Sequence, residues 1–174
     1  MFTDFRSTVY SCTALCGDSS DFDAMLRLYR SADQDEEKDR LGRAGLSSFQ
    51  SVDTLQKVLL FSISDDVRAQ DSVFIIGGVA RNRNGRDLAW QFFKENFVML
   101  KERYSSGFLL AHLVKSVTER FLTGEMACGI ENYFEENTLP GAVRNVKQAV
   151  ETIRLNVAWL ARDGEAMKNF FSKI

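Results

Sequence analysis

Apolar residues return every three or four positions through almost the whole chain, and a single proline, Pro140, stands among its 174 residues. Such spacing lines side chains along one face of an α-helix, whereas a strand would need strict alternation. The pattern therefore predicts an all-α fold. Short turns between helices, in units of roughly 30 to 45 residues, suggest a HEAT/armadillo-like superhelix of antiparallel helix pairs, about ten helices, with residues 1–174 as one helical-repeat domain. An irregular bundle is the alternative.

The segments follow from local signals. A first helix is expected over 4–16, with Phe5, Val9, Cys12 and Cys16 on one stripe and Gly17 as a left-handed stop. Ser20 or Asp21 can cap a second helix bearing Phe22, Met25, Leu26 and Tyr29, and Asp33 with Glu36 resembles a capping box for a third, ending near Leu41. Ser51 can cap a fourth, with Val52, Leu55, Val58, Leu59 and Phe61 inward, and a fifth follows from Ser64 through Val73–Ala80. The run Arg81-Asn-Arg-Asn-Gly85 is a break, because Asn and Gly tolerate positive φ. One long helix is then expected from Leu88 to Tyr104, another after Gly107, and a shorter one capped by Thr123. Pro140 suits the first turn of a long helix through Leu160, and Asp163 can cap a last one carrying Met167, Phe170 and Phe171.

Charge and composition exclude several partners. With 22 basic and 24 acidic residues interspersed, net −2, the chain lacks the basic footprint that nucleic acid or an anionic membrane surface requires. Its apolar runs are far shorter than the roughly 20 residues of a membrane span. The N-terminus meets charge within four residues and has no apolar signal core. Three cysteines, Cys12, Cys16 and Cys128, suit reduced thiols, and a cytoplasmic location is expected.

Candidate chemistry is sparse. His112 is the only histidine, so a His-Glu-x-x-His zinc site cannot be formed, and no catalytic or metal-binding residue is assigned. Cys12-x-x-x-Cys16 shares a helical face, but two thiols alone make a poor metal site. Gly77-Gly78 and Gly85 do not follow a strand and lack the P-loop lysine. The acidic run Asp33–Asp39 lacks the central glycine of a calcium loop and reads as a solvated helix start. Arg81, Arg83 and Arg86 are the peptide-contact candidates, since clustered guanidinium groups can grip a carboxylate such as a peptide C-terminus.

Collinear strings then carry a resemblance. They include Phe22-Asp23 with Leu28-Tyr29, Leu55-Gln56-Lys57-Val58-Leu59, Gln70-Asp71-Ser72-Val73-Phe74, Ile76-Gly77-Gly78-Val79-Ala80, Arg103-Tyr104 and Asn156-x-Ala158-Trp159-Leu160-x-Arg162-Asp163. Together they resemble the C-terminal domain of the M1 zinc aminopeptidases, those of the puromycin-sensitive type most of all. The resemblance implies a non-catalytic lid and scaffold that closes over a zinc-bearing catalytic domain and helps to form the peptide cavity. The family's Gly-Ala-Met-Glu-Asn and His-Glu-x-x-His motifs have no counterpart here, so the chain alone is not expected to be an enzyme and carries no cofactor of its own. Phe97 replaces a tryptophan common in the family, and the 47–51 loop differs from it. The expected partners are the catalytic domain, peptides in the shared cavity and, through an uncovered N-terminal helix pair, further copies of the chain. A free-standing helical-repeat module that binds another protein is the competing reading.

Overall fold

A computed structural model of the chain describes residues 5–104 and 108–173, which form ten α-helices and, among the described residues, no strand. They are α1 (Arg6–Cys16), α2 (Ser19–Ser31), α3 (Asp35–Arg40), α4 (Val52–Ser62), α5 (Ala69–Arg81), α6 (Arg86–Glu95), α7 (Phe97–Arg103), α8 (Phe108–Thr118), α9 (Gly124–Glu136) and α10 (Val143–Phe171). The all-α expectation holds. One contiguous core runs from Ala14 to Ile153. Gly107 lies outside the described residues.

Capping explains several boundaries. Asp18, not Ser20 or Asp21, caps α2: its carboxylate accepts from the Ser20 and Asp21 amides, and Asp21 returns the bond to the Asp18 amide at 3.1 Å. Ser51 and Thr123 cap α4 and α9 as expected. The box expected at Asp33 does not form; Gln34 precedes α3, and Glu36 instead pairs with Arg40 one turn on. Beyond α3 the chain runs on through a π-helical turn, Leu41–Gly45, and a 3-10 turn, Leu46–Ser48.

Helix α5 is the centre of the assembly, touching the π-helical turn, α4, α6 and α8. That position explains why Val73, Ile75, Ile76, Val79 and Ala80 are buried around nearly its whole circumference. Beside it, α6, α7 and α9 share an aromatic cluster. Phe93 lies 5.7 Å from Trp90, 5.8 Å from Phe97 and 6.1 Å from Phe134 between ring centres, and Trp90 meets Tyr133 edge-on at 5.2 Å.

Two expected boundaries fail in opposite directions. The helix expected from Leu88 to Tyr104 breaks at Asn96 (φ −104°, ψ 15°), whose side-chain amide donates to the Phe92 carbonyl at 2.9 Å. At the other end Asp163 starts no new helix; its carboxylate is taken by Arg162 at 2.7–3.0 Å, and α10 runs unbroken for 29 residues. Pro140 opens a 3-10 turn ahead of α10, and Val52, expected inward, is exposed.

Neither glycine stop uses positive φ. Gly17 is extended at φ −81° and Gly85 sits at φ −102°; glycine is required at 85 because a β-carbon there would meet the Val79 carbonyl at 2.5 Å. The stripe Phe5, Val9, Cys12 and Cys16 faces away from the protein, while Tyr10 and the fully buried Ala14 turn inward. The Tyr10 hydroxyl donates to Glu37, which Arg6 and Arg40 also hold; burial favours protonation of that carboxylate, but these three partners outweigh it and lower its pKa.

The Tyr29 hydroxyl is one of three buried side-chain polar atoms, with those of Ser72 and Arg86, that have no hydrogen-bond partner among the described residues. Tyr29 is 1% exposed and stacks edge-on against Phe61 at 5.1 Å. Burial, with the Asp71 carboxylate nearby, pushes its pKa from 10.0 to about 12. Tyr29→Phe is therefore expected to stabilise the protein by about 1–2 kcal/mol in urea unfolding at neutral pH, since it removes an unmatched buried dipole. A lower midpoint would refute this. The folded-state pKa lies above the unfolded one, so the Tyr29 contribution is complete below pH 10 and is lost as pH rises through about 12. The phenylalanine variant should lose less stability across that alkaline window.

Candidate functional site

The arginine cluster resolves into two neighbouring depressions. The first, about 320 Å³, opens between the π-helical turn and the end of α5 and is bounded by Leu15, Arg43, Ser47, Gln50, Arg81 and Arg83. Its geometry is set by the loop after α5. The Asn82 side-chain amide donates to the carbonyls of Ser47 (3.1 Å) and Phe49 (2.8 Å), and that of Asn84 donates to the Gln50 carbonyl at 2.9 Å. These bonds pin 82–84 to the 47–50 segment and hold Arg81 and Arg83 beside Arg43.

Arg43 is oriented from two sides, with its guanidinium 4.6 Å from the Phe74 ring centre and 3.4 Å from the Asp39 carboxylate. The Arg81 pKa lies below the usual guanidinium value, first through partial burial and then through repulsion from Arg43 and Arg120. Arg81 remains charged at neutral pH. A carboxylate entering the depression would relieve that repulsion and meet donors on two sides.

Arg86 does not join this depression. The turn at Gly85 carries it into a second groove of about 490 Å³, lined by Arg86, Arg120, Leu122, Asn156, Trp159 and Leu160. Its Nε is buried and has no hydrogen-bond partner among the described residues. Arg120, in the turn just after α8, connects the two sites: it acts on Arg81 electrostatically and lines the groove of Arg86. Arg43 and Arg120 were not legible as site residues. They lie 38 and 39 positions from Arg81, a separation that no local pattern bridges.

The remaining candidates do not assemble a reaction centre. His112 is exposed, tilts against Phe74 at 5.4 Å, and its Nε2 stands 3.5 Å from the Ser116 hydroxyl, longer than the roughly 2.6–3.2 Å of a nucleophile–base pair. Cys12, Cys16 and Cys128 are exposed free thiols. Among the described residues no three histidine, cysteine, aspartate or glutamate side chains converge in a way that could hold a metal ion, so the donor set does not fit zinc. Among the same residues no helix is long and apolar enough to cross a membrane.

Comparison with known proteins places these features. Residues 2–155 match the family model of the ERAP1-like C-terminal domain. The chain is 34% identical over 139 residues to Aminopeptidase M1-B of Oryza sativa subsp. japonica, which covers 80% of this chain and 16% of the relative. It is 32% identical over 143 residues to Aminopeptidase M1 of Arabidopsis thaliana, covering 82% and 16%, and 31% identical over 174 residues to Aminopeptidase N of Bos taurus, covering 97% and 18%. The chain thus spans less than a fifth of the length of these relatives. With an all-helical fold and a match that runs through nine helices and into the tenth, the chain belongs to the ERAP1-like C-terminal domain family, the helical domain it has in common with M1 aminopeptidases.

Proposed function

We propose that this chain is the non-catalytic C-terminal helical domain of an M1 zinc aminopeptidase of the puromycin-sensitive type, a single superhelical domain acting as lid and scaffold around the peptide cavity. One observation carries the reading: the family match extends over residues 2–155 while the only histidine is His112, so zinc and its chemistry would come from a separate catalytic domain. In this reading the Arg81–Arg83 depression and the Arg86 groove contact peptide carboxylates from the cavity wall. The outward stripe of α1, with Phe5 and Val9 at 62% and 43% exposure, is where a neighbouring helical pair packs, and left bare it promotes self-association. The cytoplasm is the proposed location, in keeping with three unpaired thiols.

The test mixes this chain with a separately produced M1 catalytic region and measures release of an N-terminal residue. Activity that appears only in the mixture supports the lid reading. Zinc-dependent activity of this chain alone would sink it, and an inactive mixture would favour a free-standing protein-binding module. Within an active mixture, Arg81→Glu with Arg83→Glu is expected to lower kcat/KM on longer peptides roughly tenfold or more, the scale of one lost charge-assisted contact. A single-residue chromogenic substrate, too short to reach the arginines, should be cleaved at the unaltered rate. Equal losses on both substrates would remove the arginines from peptide binding.

A further inference from the structure

The turn after α5 holds the chain's single asparagine–glycine pair, Asn84-Gly85; every other asparagine is followed by Arg, Phe, Tyr, Thr or Val. The pair matters chemically because a glycine has no β-carbon to block the approach of its backbone nitrogen to the preceding side chain. Asn84 is exposed and lies outside any helix, so its backbone is not locked into a helical hydrogen-bond ladder. Arg83 and Arg86 stand on either side of the pair in the chain, and positive surroundings favour the anionic nitrogen and the oxyanion that such an attack creates. Three hydrogen bonds hold the pair in check. Asn84 Nδ2 donates to the Gln50 carbonyl at 2.9 Å, the Asn84 amide to Asn82 Oδ1 at 3.0 Å, and the Gly85 amide to the Asn82 carbonyl at 3.1 Å. The first restrains the leaving group and the third the nucleophile. Asn82 anchors the arrangement through its own Nδ2, which reaches the Ser47 and Phe49 carbonyls.

We propose that Asn84 is a site of spontaneous deamidation, gated by opening of this turn, and that the reaction releases the 82–84 segment from 47–50. When the turn opens, the Gly85 nitrogen loses its proton and attacks the Asn84 Cγ. The Cγ–Nδ2 bond breaks, ammonia leaves carrying that proton, and a cyclic succinimide remains. Water then adds across one of the two ring C–N bonds and leaves aspartate or isoaspartate at position 84. Water is the sole co-reactant, and no oxidant or reductant enters.

The product does not rebuild the turn. A carboxylate offers the Gln50 carbonyl only acceptors, where the amide supplied a donor, and isoaspartate lengthens the backbone by one carbon. A negative charge also arrives next to Arg83, at the rim of the arginine depression. Asp163-Gly164 could cyclise in the same way, but it lies inside the unbroken α10, where the glycine amide is committed to the helix. That pair should stay intact. The inference does not depend on what the depression binds.

The test holds the whole chain at neutral pH and body temperature for weeks, then maps the products by peptide mass spectrometry and detects isoaspartate by enzymatic methylation. Conversion is expected at Asn84 ahead of every other asparagine. In Asn82→Ala it should run roughly tenfold faster, the scale on which losing about two hydrogen bonds raises the open population. Asn82→Asp keeps the acceptor for the Asn84 amide and loses only the donors to Ser47 and Phe49, so it serves if the alanine variant does not fold. Asn84→Asp should speed hydrogen exchange of the 82–85 amides about tenfold while the helical circular dichroism is unchanged. A chain still amidated at 84 when the urea-unfolded chain has converted, a rate indifferent to Asn82, or exchange unaltered by Asn84→Asp would each overturn the proposal.

Discussion

Phe93→Ala is expected to lower the unfolding free energy by about 3–5 kcal/mol, a large part of the stability of a domain this size. The reason is the position of the ring. Phe93 is fully buried and touches Trp90, Phe97 and Phe134, so its loss opens a cavity at the joint between α6, α7 and α9 rather than at an edge. The neighbouring rings are themselves held from several sides and cannot collapse into the gap. Urea unfolding followed by tryptophan fluorescence would report both the lost stability and the changed surroundings of Trp90. A loss below about 1 kcal/mol would mean that the aromatic cluster repacks, contrary to the behaviour of close-packed interiors.

Gly78→Ala is the second large effect, and two opposing contributions decide its sign. Alanine favours a helix over glycine by about 1 kcal/mol. Here, however, a β-carbon would lie 2.6 Å from the Ser47 hydroxyl and 2.7 Å from its β-carbon, closer than real side chains approach. Overpacking of that kind costs about 1–3 kcal/mol, and Ser47 has little freedom to yield because its hydroxyl donates to the Arg43 carbonyl at 2.7 Å. A net loss of about 1–2 kcal/mol is expected. Ser47→Gly should restore much of it, although that change alone destabilises, so the two substitutions should couple favourably in a double-mutant cycle. Additive losses would show that the contact is not the cause.

How far the sequence reaches is clearest in single elements. Phe22, Met25 and Tyr29 on α2, and Leu55, Val58 and Leu59 on α4, announced their buried faces by spacing alone. The count of ten helices agrees with expectation through two compensating differences, the break at Asn96 and the fusion across Asp163. Both turned on a side chain that could bond either to the backbone or to a neighbour. Asn96 found the Phe92 carbonyl, and Asp163 found Arg162. Propensity does not choose between such partners.

The stripe on α1 shows the deeper reason. Phe5, Val9, Cys12 and Cys16 are the apolar face that spacing identifies, yet Tyr10 and Ala14 are the residues turned inward. Periodicity reports that a helix has an apolar side; it carries no information on whether this chain or another segment covers it. The candidate site divides in the same way. Arg81, Arg83 and Arg86 were visible as a local cluster, but the turn at Gly85 separates Arg86 from the other two, and Arg43 and Arg120 join them only in three dimensions.

What the sequence determined by itself was the all-helical class, most of the inward faces, the family, and the lack of a second histidine for zinc. These are properties of residue type and near-neighbour spacing. Only the tertiary structure decided which apolar faces are covered and which arginines meet, because each depends on contacts between residues more than 30 positions apart or on surface left without a partner.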